Sequence, residues 1–401
     1  MEPVSCYQVA SGIARGGERK RTVVIASHVR TPGPGDRAVA YARSRFIRVL
    51  QIDHPLIHSR KARSCWYLYH DGALVAEGSV STSVPETVRY CVDIVLTVWW
   101  VWRKLRTADV FIGLGILNGA AGLLLRSIRL TRRSICWVID YSPRRFNSKA
   151  LNWVFHATEL VVAWMSDETW NISERVLEAH RKASVVPFLV NSNNIQRIVP
   201  IGIDEVADWN AARDEERIAF IGHVLEKQGL QLVMDAMPAI LAERPGVRLV
   251  IMGDGPYLDT LRCRAVDLSV DYSVEFRGFV QSDDEVWQTL VSSSVAVAPY
   301  VNSANSFTYF ADPGKLKQYL GAGLPVCVTS VPAIAHDIAD RGCGVVVEGT
   351  VDGVRDGILE LLDQRLMSDR RRSCIEFAKE FQWRSIFDDA FSEILCGEGI
   401  L

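Results

Sequence analysis

Residues 307–325 read FTYFADPGKLKQYLGAGLP and run straight into the apolar stretch VCVTS. Pro313 and Gly314 make a turn, Lys315 opens a helix, and Gly321, Gly323 and Pro325 close it and lead into a strand. Loop, helix and buried strand in this order are the repeating unit of α/β sheets. The free backbone N–H groups of a helix start, with a lysine beside them, also suit a bound diphosphate. An ordinary loop-helix-strand unit carries the same glycines, so both readings stand on this segment alone.

Around it lies a series of such units: RIAFIGH (217–223), the helical GLQLVMDAMPAILAE, VRLVIMGDG (247–255), VEFRGFV (274–280), SVAVAPY (294–300), LPVCVTS (324–330) and GCGVVVEG (342–349). Their continuous apolar character is that of strands buried on both faces of a parallel sheet. A second series precedes it: RTVVIASH, a Gly/Pro loop with helix from about Ala38, IRVLQID (47–53), WYLYHDG (66–72), ADVFIGL (108–114) and SICWVIDY (134–141). The polar stretch between the series is the expected hinge. The chain therefore predicts an α/β protein of two Rossmann-like, doubly wound parallel-sheet domains facing across a cleft. The divisions are a loose tail over 1–20, a first domain over 21–200, a hinge over 201–215, a second domain over 216–376, and a C-terminal helix over 377–401 that crosses back, anchored by Trp383. Ligands of open α/β sheets bind at the carboxyl ends of the strands, so the facing edges are where function is expected.

Composition fits this and narrows the chemistry. With 401 residues and a net charge of -2 there is no global attraction to nucleic acid or lipid. The nine cysteines are scattered, with no C-x-x-C pair, which disfavours a disulfide framework or a zinc site and places the protein in the cytoplasm. The N-terminus has no apolar run resembling a signal peptide. Val92–Trp102 (VDIVLTVWWVW) and Val110–Leu125 fall short of the ~18 residues of a spanning helix. The first, followed by Arg103, Lys104 and Arg106, suits a helix on the anionic inner face of a membrane and equally a core helix.

The segment 307–330, together with FIGHVLEKQGLQLVMDA (220–236), MGDGP (252–256) and FRGFV (276–280), resembles the GT-B type glycosyltransferases, in particular the retaining family 4 (glycosyl transferases group 1), over residues 216–330. The resemblance implies a nucleoside diphosphate sugar as donor substrate, with no cofactor and no bound metal, a saccharide or lipid-linked saccharide as acceptor, and a role in surface polysaccharide or glycolipid synthesis. Gly222, His223, Lys227, Gly253, Val280, Pro313, Gly314, Lys315 and Gln318 match the donor-binding positions. His223 stands where an arginine is usual, and Lys227 one place before the commonest lysine. Lys315 is the expected cation for the leaving diphosphate. Of two glutamates usual in the family, the positions hold Phe310 and Gln318; the glutamine can still bind ribose hydroxyls, and Asp312 is the expected replacement for sugar contact. In the first domain the resemblance points to the loop of His28, Gly33, Gly35 and Asp36 and to an acceptor side at Asp140, Arg144 and Arg145. Asp140 reads equally as a turn or cap aspartate. Two other functions fit the architecture: a sugar-nucleotide epimerase, and a non-catalytic binder of nucleotide sugar or glycan.

Overall fold

The computed structural model describes residues 21–29, 33–56, 63–81, 84, 86–183, 193–208, 213–301 and 307–396. The expected tail over 1–20 lies outside them, as do residues 31 and 32 of the first Gly/Pro loop.

The first sheet has eight strands: β1 (Thr22–Val29), β2 (Arg48–Pro55), β3 (Arg63–His70), β4 (Ala73–Ser81), β5 (Ala108–Leu114), β6 (Thr131–Val138), β7 (Glu168–Asn171) and β8 (Ile195–Ile198), in the order β4-β3-β2-β1-β5-β6-β7-β8. The apolar runs occupy its centre, with Val24 of β1 between Leu50 of β2 and Phe111 of β5. One edge departs from the all-parallel expectation. β3 pairs antiparallel with both β2 and β4; between β3 and β4, Asp71 and Gly72 both take positive φ and make a two-residue hairpin turn. β4 escaped the sequence reading because one side of it is exposed along its length.

Five helices pack on this sheet: α1 (Pro34–Arg43) on one face; α2 (Glu86–Lys104), α3 (Gly115–Ser127) and α4 (Lys149–Met165) side by side on the other; and α5 (Glu174–Lys182) near the far edge.

The second sheet is wholly parallel: β9 (Arg217–Ile221), β10 (Arg248–Met252), β11 (Val274–Gly278), β12 (Val295–Ala298), β13 (Val326–Thr329) and β14 (Gly344–Val347), in the order β11-β10-β9-β12-β13-β14. Two buried clusters sandwich it. One involves α6 (Leu230–Glu243), α7 (Leu258–Asp267), and α12 (Val351–Leu361). The other involves α8 (Asp283–Val291), α10 (Gly314–Gly321), α11 (Ala335–Asp340) and α13 (Gln364–Lys379), with the single turn α9 (Phe307–Phe310) ahead of α10. Strand order reverses between β9 and β12, so the crevice between their carboxyl ends is the predicted ligand position.

The C-terminal segment is not one helix. After α13 the chain runs beside the hinge, Ile203 N–H donating to the Phe381 carbonyl (2.8 Å) and Trp383 N–H to the Ile203 carbonyl (3.1 Å). It then forms α14 (Trp383–Ala390) and α15 (Ser392–Cys396) beneath the first sheet. Trp383 stacks on Phe387, 5.3 Å between centroids, and covers Gly202, where a Cβ would come within 2.6 Å of the indole. Phe387, Phe391 and Ile394 are fully buried with Val23, Trp137 and Trp170, so the last elements complete the first domain's core. Phe391→Ala should cost about 3–5 kcal/mol, as for other buried aromatic truncations. Denaturant unfolding read by tryptophan fluorescence checks this; a loss under 1 kcal/mol would mean that the end of α14 is not integral to the domain.

Candidate functional site

At the reversal of the second sheet, Lys315 lies in the first turn of α10. Its ammonium is 4.2 Å from the centroid of Phe220 in β9 and 4.6 Å from that of Tyr300 just past β12, and donates to Gln228 Oε1 at 2.6 Å. No carboxylate among the described residues pairs with it. Desolvation pushes its pKa down to about 7. The cation-π faces and a neutral amide stabilise the ammonium without cancelling its charge.

Gly222, exposed at the end of β9 with φ 119, brings backbone over this lysine; a Cβ there would sit 3.7 Å from Lys315 Cδ. Gly253 follows β10 so closely that a Cβ would lie 1.8 Å from the Gly222 carbonyl, and its N–H donates to Gly278 of β11 at 2.8 Å. The Tyr319 hydroxyl accepts from Ile221 N–H (2.8 Å), which locks α10 to β9. Gln318 is exposed one turn beyond Lys315, while His223 and Lys227 are exposed on the loop after β9. Val280 is half-buried two residues beyond β11, beside an open depression of about 670 Å³ also lined by Phe279 and Arg277. The structure thus gathers the donor-side positions, from segments far apart in sequence, along one edge of one sheet. Phe220, Gln228 and Tyr300, which surround the lysine, escaped the sequence reading because nothing local marks an aromatic on a buried strand as a cation contact.

Asp312 is not at a position open to a sugar. It is 9% exposed, its carboxylate pairs with Lys317 and accepts from the Ile201 N–H at 2.6 Å, and Lys317 Nζ donates to the Ile201 carbonyl at 2.6 Å. A carboxylate already holding a buried cation and a backbone amide is a structural clamp on the hinge. Phe310 points into the first domain, 4.7 Å from Tyr141, and its carbonyl accepts from Ser173 Oγ at 2.8 Å. Arg175 donates to the Tyr309 carbonyl at 2.9 Å and to the Val331 carbonyl, with its guanidinium 3.9 Å over the Tyr309 ring. These contacts join the carboxyl-end edges of the two sheets.

The first-domain loop residues also turn inward. His28 Nδ1 is 3.0 Å from Asn118 Nδ2 and Nε2 is 3.4 Å from Asp93 Oδ2, so both ring nitrogens are engaged. Burial opposes ionisation of Asp93, yet the hydrogen bonds from His28 and His54 hold its carboxyl well below the usual range. Asp36 accepts from the Gly33 N–H at 2.9 Å in a capping box for α1, and Gly35 packs where a Cβ would be 3.2 Å from Leu114. These contacts hold His28 at the end of β1 and Gly33, Gly35 and Asp36 at the start of α1. Asp140 forms a 2.8 Å ion pair with Arg145, partly exposed beyond β6, and Arg144 is exposed beside them. Behind Tyr141, the buried Glu159 accepts from His156 Nδ1 at 3.0 Å, which raises the imidazole pKa.

Residues 215–364 match the sequence family described as Glycosyl transferases group 1. Among characterised relatives, the GDP-mannose-dependent monoacylated alpha-(1-6)-phosphatidylinositol monomannoside mannosyltransferase of Corynebacterium glutamicum is 27% identical over 186 residues, 45% of this chain and 47% of that one. The alpha-monoglucosyldiacylglycerol synthase of Streptococcus pneumoniae is 26% identical over 148 residues, 37% and 32% of the two chains. The matched stretches thus span less than half of either relative. Among solved structures, Anabaena HepE in complex with UDP superposes with a TM-score of 0.67 over 94% of this chain and 100% of that one, and at 13% identity this speaks for the fold alone.

The depressed Lys315 pKa sets a pH signature. Folded, the amine is neutral above about pH 7, whereas the unfolded lysine keeps its proton to about its ordinary 10.5, so this group makes the ligand-free fold more stable as pH rises across that window. An anion at the site restores the charge. Binding of a nucleoside diphosphate at about pH 8 should therefore take up a proton, measurable by calorimetry in buffers of different ionisation enthalpy, and Lys315→Met should abolish the uptake. Equal uptake in both proteins would place the anion elsewhere.

Proposed function

We propose that this chain, a GT-B glycosyltransferase by its fold and by the group 1 domain of its second half, moves a sugar from a nucleoside diphosphate sugar to a saccharide or lipid-linked saccharide acceptor. The observation that carries the reading is Lys315: a desolvated cation without a carboxylate partner among the described residues, at the crevice where strand order reverses, beneath the open backbone of Gly222. As the sugar departs, charge develops on the diphosphate, and a preorganised ammonium with the N–H groups of the α10 start meets that charge without reorganisation. Gly222 and Gly253 let main chain approach the phosphates, His223 and Lys227 flank them, Gln318 hydrogen-bonds the ribose, and the Val280 segment faces the base. Retention at the anomeric carbon and independence from metal belong to this reading, with Asp140 and the neighbouring arginines on the acceptor side. The glycolipid activities named for the two relatives support a lipid-linked acceptor; the inner face of a membrane and a surface polysaccharide or glycolipid product belong to the same reading.

A second reading, a non-catalytic binder of nucleotide sugar, is favoured by one observation: the Phe310 position offers no carboxylate and is spent on Tyr141. Sugar transfer divides them, since a binder transfers none, while nucleotide binding is common to both. A thermal-shift panel of UDP, GDP, ADP and dTDP at about 100 times the dissociation constant should raise stability by about 2.7 kcal/mol for the matching base. Lys315→Ala should lower sugar transfer by about 10²–10³-fold with the melting temperature kept; transfer at wild-type rate would remove Lys315 from the mechanism. Gln318→Glu should tighten nucleotide binding, and weaker binding would move the ribose away from Gln318.

A further inference from the structure

Helix α4 has an outer face that nothing among the described residues covers. After Lys149 its only charged side chain is Glu159, which is 2% exposed and turned in toward His156 and His180. The outward positions 151, 154, 158, 161 and 165 follow helical spacing and are Leu, Val, Thr, Val and Met; Leu151 is 55% exposed, Val154 52%, and Trp153 beside them 73%. A helix apolar on all sides is ordinarily buried, and a contiguous exposed apolar patch marks a contact surface.

The start of α4 is built to hold this face. Ser148 caps the helix, and the Asn152 side chain accepts from the Phe146 N–H (2.8 Å) while donating to the Phe146 and Ser148 carbonyls (2.5 and 3.0 Å). The apolar face continues over the neighbouring helices of the same layer. Val95, Trp99 and Trp102 are exposed on α2, whose Trp100 and Val101 fill the core behind, and Leu124 is exposed on α3. The sequence offered α2 as either core or surface; it is both, one face each.

Charge identifies the occupant. Arg144, Arg145 and Lys149 stand at the cleft end of this layer, and Arg103 and Arg106 at its far end, with the Arg106 guanidinium 4.8 Å over the Trp102 ring. Of the acids in α2, α3 and α4, Asp93 and Glu159 are both 2% exposed, so among the described side chains of these helices no carboxylate reaches the outer surface. An apolar face with tryptophans, with Arg144, Lys149, Arg103 and Arg106 at its rim and Asp140 there paired to Arg145, and with no carboxylate among its described helix side chains, in a chain of net charge -2, complements the headgroup and upper acyl region of an anionic bilayer. No described helix is long and apolar enough to cross it.

The geometry points to the outer surface of the α2–α3–α4 layer as a docking face for an anionic lipid bilayer, with the α4 start, led by Trp153, seated in the headgroup region. Docked so, the loop after β6 that carries Asp140 and Arg145 stands at the lipid surface, where the head of a lipid-linked acceptor would be; this last step rests on the transferase reading, the docking itself does not.

The test is flotation of the full chain with vesicles of phosphatidylcholine and phosphatidylglycerol (7:3) or of phosphatidylcholine alone, without donor or acceptor. The wild type should float with the anionic vesicles, lose most binding in 0.5 M salt, and bind the neutral vesicles at least about ten-fold more weakly. Trp153→Glu, at an exposed position, should keep the melting temperature and lose about ten-fold or more of the binding, while Tyr272→Glu, equally exposed on the second domain, should not change it. Absence of flotation with anionic vesicles, or Trp153→Glu binding like wild type, overturns the proposal. So does a wild-type dimer that Trp153→Glu converts to monomer without any vesicle binding, which would assign the face to a second copy of the chain. Nucleotide thermal shifts on the same samples keep failure of docking distinct from failure of the donor site.

Discussion

The backbone of Ile201 is gripped at both its polar groups: the Asp312 carboxylate takes its N–H, the Lys317 ammonium takes its carbonyl, and the two charges pair with each other in a nearly water-free setting. Removing one partner of such a pair strands the other charge and costs about 3–5 kcal/mol. The clamp fixes the hinge against the first turn of α10, and much of the site's geometry follows from it. With Lys317 turned to the hinge, Lys315, two positions earlier and so on the other side of the helix, is aimed at Phe220 and Tyr300. Two lysines on one short helix thereby stand in opposite settings, one neutralised by an acid, the other between two aromatic rings and a neutral amide.

The same hinge is reinforced by the returning chain. Ile203 exchanges backbone hydrogen bonds with Phe381 and Trp383, and the indole of Trp383 closes over Gly202. Because Phe387, Phe391 and Ile394 of the returning chain are buried in the first domain's core, the two lobes are not independent beads on a linker. On the cleft side, Arg175 holds the backbone of the α9 turn and Phe310 packs on Tyr141. A sugar bound at Lys315 would thus lie beside an aromatic wall shared by both domains, at the edge from which the Asp140 loop and the apolar start of α4 project.

Much of the fold was legible in the chain because parallel strands buried on both faces appear as short, unbroken apolar runs, a local property. All six strands of the second domain were readable this way, and so was the position of Lys315 at the start of a helix. The half-exposed β4, the four-residue β7 and β8, and the antiparallel edge were not, since their character depends on which neighbour they pair with. Helix breaks after α13 were hidden for a similar reason: the amphipathic period continues across Phe381–Trp383, and only pairing with the hinge bends it.

By itself the sequence determined two α/β domains, a family resemblance specific in the second and weaker in the first, and a lysine-bearing helix start ahead of a buried strand. Tertiary structure decided which charges are spent. Asp312 and His28 looked available until the distant Ile201 and Asp93 claimed them, Asp36 was taken by the Gly33 amide nearby, and Lys315 became distinctive only when Phe220, Gln228 and Tyr300 converged on it. The reason is physical: whether an ionisable group binds a ligand or holds the protein together depends on its desolvation and on the partner within hydrogen-bond reach. Both are set by residues tens to hundreds of positions away.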